Sequence, residues 1–199
     1  MTCPRSVGNV LPDFATKPTI DGDLVRLVPL ETRHLDELWP AYEDAELARL
    51  TGSTGTFTRD ETERIIAGRR YAPDRLDLAV IERATGRCVG EVVLNEWDEH
   101  NRSCNFRTLF VASGRDRGFG TEAIRLMLEH AFNTLALHRI SLGVFAFNAR
   151  ARRVYEKLGF VEEGVLRETL NWDGEWHDEI IMSILEDEWR SGRELPIDA

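Results

Sequence analysis

Between residues 76 and 147 the hydrophobic period runs from two to 3.6 and back to two, and this change constrains the fold more than any other feature of the chain. Leu76–Glu82, Cys88–Trp97 and Ser103–Val111 alternate as strands. They are separated only by Ala84-Thr85-Gly86 and Asp98-Glu99-His100-Asn101, so they read as an antiparallel meander. From Gly118 to about Leu135, the residues Ile124, Met127, Leu128, Ala131 and Leu135 instead recur on one helical face. The period returns to two in Arg139–Phe147, where Ile140, Leu142 and Val144 alternate with Ser141 and Gly143. A strand, a helix and a strand in that order predict a parallel, right-handed crossover. Added to a meander, that crossover makes the sheet mixed.

The flanks extend the pattern. Leu24–Leu30 reads as a first strand, followed by polar, helix-favouring segments at about 31–49 and 59–71. Thr58 with Glu61 makes a capping box for the second. Asn148 caps a helix in which Ala151, Val154, Tyr155 and Leu158 share a face, and Gly159 ends it. Phe160–Leu170 and Trp176–Leu185 close the chain as strands around Asn171-Trp172-Asp173-Gly174. The order is β–α–α–β–β–β–α–β–α–β–β: an α/β (mixed) fold with a central sheet of about seven strands and about four helices. The 199 residues suit one domain, drawn at 21–190, with an N-terminal arm at 1–20 that carries three prolines and a C-terminal tail at 191–199.

Net charge of −10 opposes nucleic acid or an anionic membrane as partner. No run approaches the roughly 18 apolar residues of a membrane span, and the first residues lack a signal peptide's apolar stretch. Cys3, Cys88 and Cys104 are odd in number and form no C-x-x-C, which argues for a reducing, cytoplasmic setting. The five histidines are scattered, and no metal set is visible.

Chemistry concentrates in Arg115-Asp116-Arg117-Gly118-Phe119-Gly120-Thr121-Glu122-Ala123, between a strand and a helix. Glycines there let backbone N–H groups converge, and a helix start adds about half a positive charge, which makes a seat for an anion. Arg115 and Arg117 flank it in an otherwise acidic chain. The same residues satisfy G-x-G-x-x-[GA]. A dinucleotide site also needs an acid at the end of the next strand, and Gly143-Val144-Phe145-Ala146-Phe147 has none. Gly-Lys-[Ser/Thr], the mark of a P-loop, is missing too.

Arg115-x-x-Gly118-x-Gly120 resembles the [Q/R]-x-x-G-x-[G/A] signature of the GNAT acyltransferases, and Asn148 through Tyr155 to Gly159-Phe160 is similar to their second motif, N-x-x-A-x-x-x-Y-x-x-x-G-F. The ending, from Val161 through Gly164, Arg167, Glu168 and Trp176-His177-Asp178 to Glu188-Trp189, resembles the RimJ/RimL branch, which acetylates α-amines of ribosomal proteins. The resemblance implies a GNAT-type fold that moves an acetyl or other short acyl group from acyl-CoA to a primary amine. It puts the pyrophosphate on the N–H groups of Arg117, Gly118, Phe119, Gly120 and Thr121, and the pantetheine arm against Leu109, Phe110 and Val111. Arg150, Arg152, Arg153 and Lys157 outnumber Glu156 in 149–157, which suits the 3′-phosphate end of the coenzyme.

The resemblance also makes Tyr155 the donor of a proton to the leaving thiolate, and Asn148 a contact to the coenzyme or acceptor. It leaves the general base open, because Asn105 stands where many relatives carry glutamate in the fourth strand. Glu168 is the first candidate, Glu91 the second, and His177 a third. The acceptor remains a protein N-terminus, an antibiotic, a polyamine or another metabolite, and the donor acetyl-CoA or a bulkier acyl-CoA such as succinyl-CoA. Trp97, Trp172 and Trp176 are candidates for the acceptor pocket. The resemblance admits a homodimer. The alternative is an acyl-CoA-binding or interaction module that has lost turnover, and Asn105 is the feature in its favour.

Overall fold

A computed structural model describes residues 13–55 and 57–192. Its single sheet has eight strands in the order β1-β2-β3-β4-β5-β6-β8-β7. These are β1 (Ile20–Asp21), β2 (Val25–Pro29), β3 (Leu76–Glu82), β4 (Cys88–Asp98), β5 (Ser103–Phe110), β6 (Arg139–Phe145), β7 (Val161–Trp172) and β8 (Glu175–Leu185). The helices are α1 (Leu35–Tyr42), α2 (Ala45–Thr51), α3 (Arg59–Arg69), α4 (Phe119–Asn133), α5 (Ala149–Lys157) and α6 (Glu186–Gly192). β5 and β6 pair in parallel, as the crossover requires, and all other neighbours are antiparallel.

The sheet has one strand more than the sequence reading counted, and there are two more helices. β1 is two residues long, too short to show a period. The segment 31–49 divides into α1 and α2 because Asp44 starts a new helix: its carboxylate accepts from Glu46 N (3.0 Å) and Leu47 N (3.1 Å). α6 follows β8 directly, and its Trp189 stacks on Phe132 at 6.0 Å. The capping box of α3 is present, with Thr58 N donating to Glu61 Oε2 at 2.8 Å. The β7–β8 turn is tighter than the four residues expected. It is the pair Asp173-Gly174, both at positive φ (52° and 87°), as a type I′ turn demands.

Residues 13–20 lie against the sheet and helices, with Phe14 buried against Trp97 and the Lys17 ammonium on the carbonyls of Phe14, Ala72 and Arg75. Residues 1–12 of the expected arm and 193–199 of the expected tail, Cys3 among them, lie outside the described residues.

Partners across a ladder share a face of the sheet. Glu91, Val93 and Asn95 stand opposite Leu109, Arg107 and Asn105; Asn105 stands opposite Ser141, and Phe145 opposite Glu179. α1 and α2 cover this face: Tyr42 of α1 reaches Glu91, and Gly52 at the end of α2 rests on the Phe145 ring. The opposite face, with Phe106, Phe110, Ile140 and Val144, carries α4 and α5. Gly120 of α4 approaches the Phe110 ring, and Gly159 after α5 approaches Ile184, the partner of Ile140. The apolar stripe of α4, including Ile124, Met127, Leu128 and Ala131, is fully buried there.

Candidate active site

The fourth interior ladder of the sheet is incomplete. β5 and β6 pair only through Ser103↔Arg139, Cys104↔Ile140 and Asn105↔Ser141. Past Asn105, β5 stays with β4 and β6 stays with β8, so the two strands part. A cleft of roughly 1400 Å³ opens between them, lined by both strands, by α1 and α2, and by the first turns of α4 and α5. Main-chain groups of 106–110 that point away from β4 have no strand partner, a ready edge for an extended ligand. The parting also joins the two faces, so groups from α5 and from the α1–α2 side meet in one space.

The start of α4 lies on this cleft. Gly118, its N-cap, is left-handed at φ 82°, where a side chain would be strained. The first intrahelical bond runs from Glu122 N to Gly118 O (3.1 Å), which leaves the N–H groups of Phe119, Gly120 and Thr121 turned out of the helix end. The Glu122 carboxylate is held away by the N–H groups of Asp23, Leu24 and Val25 at 2.7–2.8 Å, so it does not fill the seat. A Cβ on Gly120 would meet nothing closer than the Phe110 ring at 3.5 Å. The residues present therefore fit a diphosphate held by backbone donors.

The flanking arginines are placed differently from what their charge suggested. Arg115, half-buried, donates to Asp44 Oδ2 (2.9 Å) and to Phe110 O (3.2 Å), tying the start of α2 to the end of β5. Arg117 pairs with Glu82 and lies over the Phe119 ring at 4.4 Å, outside the cleft lining. Both side chains are neutralised, and the seat rests on the backbone and the helix terminus. Phe119 itself sends its ring into the core. On α5, Arg150 lines the cleft and pairs with Asp116 (2.9 Å). Arg152 is turned to Glu156 and Glu162, and Arg153 to the Ala149 carbonyl, away from the cleft wall. Leu109 and Phe110 line the cleft, whereas Val111 is buried and donates to Val89 O at 3.1 Å.

Tyr155 lines the cleft from the α5 side, its ring 5.7 Å from Phe160. Burial pushes its phenol up to about 12, so it is protonated at neutral pH. Its hydroxyl forms no hydrogen bond among the described residues. Asn148 caps α5 by accepting from Ala151 N (3.2 Å) and also lines the cleft. Asn105, at the fork, donates to Asn95 Oδ1 at 3.0 Å.

The structure separates the candidate bases. Glu168 sits at an irregularity in β7, at φ 53°, with its N–H on Asp178 Oδ1 (2.8 Å). It borders a separate depression on the exposed edge strand β7 and does not line the cleft, so the structure does not bring this first candidate to the other groups. His177 packs edge-on against Phe147 (4.9 Å) and does not line the cleft either. Glu91 does line it, buried on β4, accepting from Tyr42 Oη at 3.2 Å. Burial, with Asp77 nearby, raises its carboxyl above the ordinary range and makes it a stronger base than a surface carboxylate. Of the three tryptophans, only Trp172 lines the cleft; Trp97 packs on Phe14, and Trp176 is exposed.

Sequence reasoning missed Glu179. It stands on β8, and its carboxylate lies across Gly143 in the cleft wall. Only the β6–β8 register brings the two together, and no spacing along the chain reports it. Among the described residues no three His, Cys, Asp or Glu side chains gather as a metal site, and no helix is long and apolar enough to cross a membrane.

Comparison with known proteins agrees with this geometry. The family model described as Acetyltransferase (GNAT) domain matches residues 25–161. A spermidine N(1)-acetyltransferase of Vibrio cholerae serotype O1 is 34% identical over 110 residues, covering 55% of this chain and 64% of that protein. YjcK of Bacillus subtilis (strain 168), named a probable N-acetyltransferase, is 44% identical over 69 residues, 35% of this chain and 38% of that one. The chain thus spans less than two thirds of either relative's length. The crystal structure of spermidine N-acetyltransferase from Vibrio cholerae with CoA and spermine superposes with a TM-score of 0.79 at 25% identity, over 85% of this chain and 99% of that one.

Proposed function

The chain belongs to the acetyltransferase (GNAT) domain family, and on that premise we propose that it transfers an acetyl group from acetyl-CoA to a primary amine by direct attack in a ternary complex. The observation that carries this reading is the parted β5–β6 pair, which opens one cleft to a helix N-terminus, a buried phenol and a buried carboxylate. The coenzyme supplies an activated thioester. The N–H groups of Phe119, Gly120 and Thr121 hold its pyrophosphate, with Arg150 beside them, and the free main-chain groups of β5 take its pantetheine arm.

Glu91, rather than Glu168, receives the proton that the acceptor ammonium must lose before its nitrogen can attack. Tyr155 gives its phenolic proton to the departing thiolate, and the second proton, which the nitrogen sheds as it becomes an amide, returns to the phenolate. Glu91 then releases the first to solvent, so the products are neutral thiol, amide and one proton. Asn105 makes no contribution as a base and holds the fork together. Within this proposal the RimJ/RimL-like ending keeps a protein α-amine open as acceptor, while the spermidine-acetylating relatives favour a small alkylamine.

Free-thiol release from acetyl-CoA across a panel of alkylamines and peptides tests the reading, with turnover expected for at least one class. Coenzyme A binding in calorimetry without turnover for any amine would make the chain a binding module instead. Gly120→Val tests the seat. Its methyl groups fall in the mouth of α4, beyond an ordinary contact with Phe110, so the fold survives and acetyl-CoA affinity drops at least about 10-fold, roughly the effect of losing a hydrogen bond to a charged group. Unchanged affinity in a folded variant would place the pyrophosphate elsewhere.

A further inference from the structure

Gly143 has an ordinary strand backbone, so its lack of a side chain serves space rather than torsional freedom. A Cβ there would lie 1.9 Å from Glu179 Oε1, in the volume the carboxylate occupies. Glu179 begins one strand away on β8, opposite Phe145, and crosses β6 only because position 143 is bare. It ends on the edge of the cleft, hydrogen-bonded to the Thr169 side chain, with Phe145 and Trp172 on the same wall.

The other charges of this wall make the placement informative. Asp44 and Asp116 also line the cleft, but they are paired with Arg115 and Arg150, and Glu43 and Glu96 line it as exposed side chains. Glu91 and Glu179 are not exposed and form no ion pair among the described residues, although Arg69 and Arg107 act on Glu91 from farther off. A buried or half-buried carboxylate without an ion-pair partner costs free energy that a bound cation returns. The two come from opposite sides of the fork, Glu91 from β4 and Glu179 over β6. Two strand spacings, roughly 10 Å, separate the backbones of those strands, a span that an extended alkyl chain can bridge. An aromatic edge beside Glu179 adds a favourable surface for an alkylammonium.

We infer that Glu179 is a specificity-determining residue that holds a second, non-reacting ammonium of the acceptor, which makes the substrate class a flexible di- or polycationic alkylamine. This role deepens the acyl-transfer reading and rests on it: Glu91 takes the proton of the reacting nitrogen while Glu179 anchors the far end. A monoamine reaches only one carboxylate, and a bulky folded acceptor does not fit the span between them.

The test uses dead-end complexes, which need no turnover. Spermidine and butylamine are titrated calorimetrically into the full chain saturated with coenzyme A. The parent is expected to bind spermidine at least about 10-fold more tightly than butylamine. Glu179→Gln, nearly isosteric, should weaken spermidine about 10- to 100-fold, the range for a hydrogen bond between charged groups, and move butylamine less than about 3-fold.

Gly143→Ala keeps every charge but pushes the carboxylate off β6, and should reproduce the loss. The double variant should be no worse than the worse single one, because both remove the same contact. Equal spermidine-to-butylamine ratios in parent and Glu179→Gln, or a parent that does not bind spermidine, would overturn the anchor. Thiol release measured alongside keeps the two claims apart. Turnover with an unchanged ratio sinks the anchor alone, while an intact anchor without thiol release for any amine sinks the acyl-transfer reading alone.

Discussion

Tyr155→Phe is expected to lower kcat about 100-fold while acetyl-CoA affinity stays within about 2-fold. The substitution keeps the ring against Phe160 and removes only the hydroxyl, which has no hydrogen bond to lose among the described residues. Packing is thus conserved, and a purely structural tyrosine would show no effect. A thiolate expelled into a closed cleft without a proton donor is a poor leaving group, and positioned general acids contribute about 10²- to 10⁴-fold. The lower end applies because a thiol, with a pKa near 8.5, leaves more readily than an alkoxide. A phenol held up to about 12 keeps its proton and stays neutral across the working pH range, so the variant's deficit should be flat from pH 7 to 9. Steady-state kinetics that give equal kcat for parent and variant would return Tyr155 to the core.

Glu91→Gln should cost about 100-fold at pH 7 and recover to within about 10-fold of the parent by pH 9. Alkylammonium groups have a pKa near 10.4, so the neutral amine in solution rises about 100-fold over those two pH units and replaces what the carboxylate supplied. Glu168→Gln should track the parent at every pH, since its side chain lies outside the cleft. Stability provides an independent sign check. Glu91's carboxyl is raised from 4.5 by burial, so its contribution to stability is complete below about pH 4.5 and is lost as pH rises through the folded value. At neutral pH, above the ordinary carboxylate value, the raised group is a cost to stability, and glutamine should leave Tm unchanged or raise it while activity falls. A Tm that drops with activity would mark Glu91 as a structural residue; collapse of Glu168→Gln with Glu91→Gln intact would reverse the assignment.

Sequence patterns foretold the elements that hold short-range information. The capping residues Thr58 and Asn148, the left-handed Gly159, and the apolar stripe of α4 all lie where the residue types placed them. The parallel β5–β6 pair followed from the strand–helix–strand order. What was illegible depends on contacts between distant strands. The charge of Arg115 and Arg117 is visible in the chain, but not that Asp44 and Glu82, 71 and 35 residues away, neutralise it. Glu168 looked central because it belongs to a motif, and the exposure of the edge strand β7 on which it lies has no signature along the chain. Glu179 and Gly143 are 36 positions apart, and each is unremarkable alone.

The three-residue ladder that joins β5 to β6 has a consequence for the lifetime of the protein. It splits the sheet into two arms, β1–β5 and β6–β8, whose paired continuity runs through Ser103–Asn105 and Arg139–Ser141, extended only by the Arg102 carbonyl, which accepts from His138 N at 2.8 Å. In the binding mode proposed above, a coenzyme laid into the fork supplies main-chain contacts that the chain itself lacks, and it does so only when both arms are folded. Mass action then adds about 2.7 kcal/mol to the folded state at a coenzyme concentration 100 times Kd. For a domain whose margin is about 5–15 kcal/mol, that is a large fraction. Under the proposed binding mode, the amount of this protein that survives proteolysis rises with the supply of acyl-CoA.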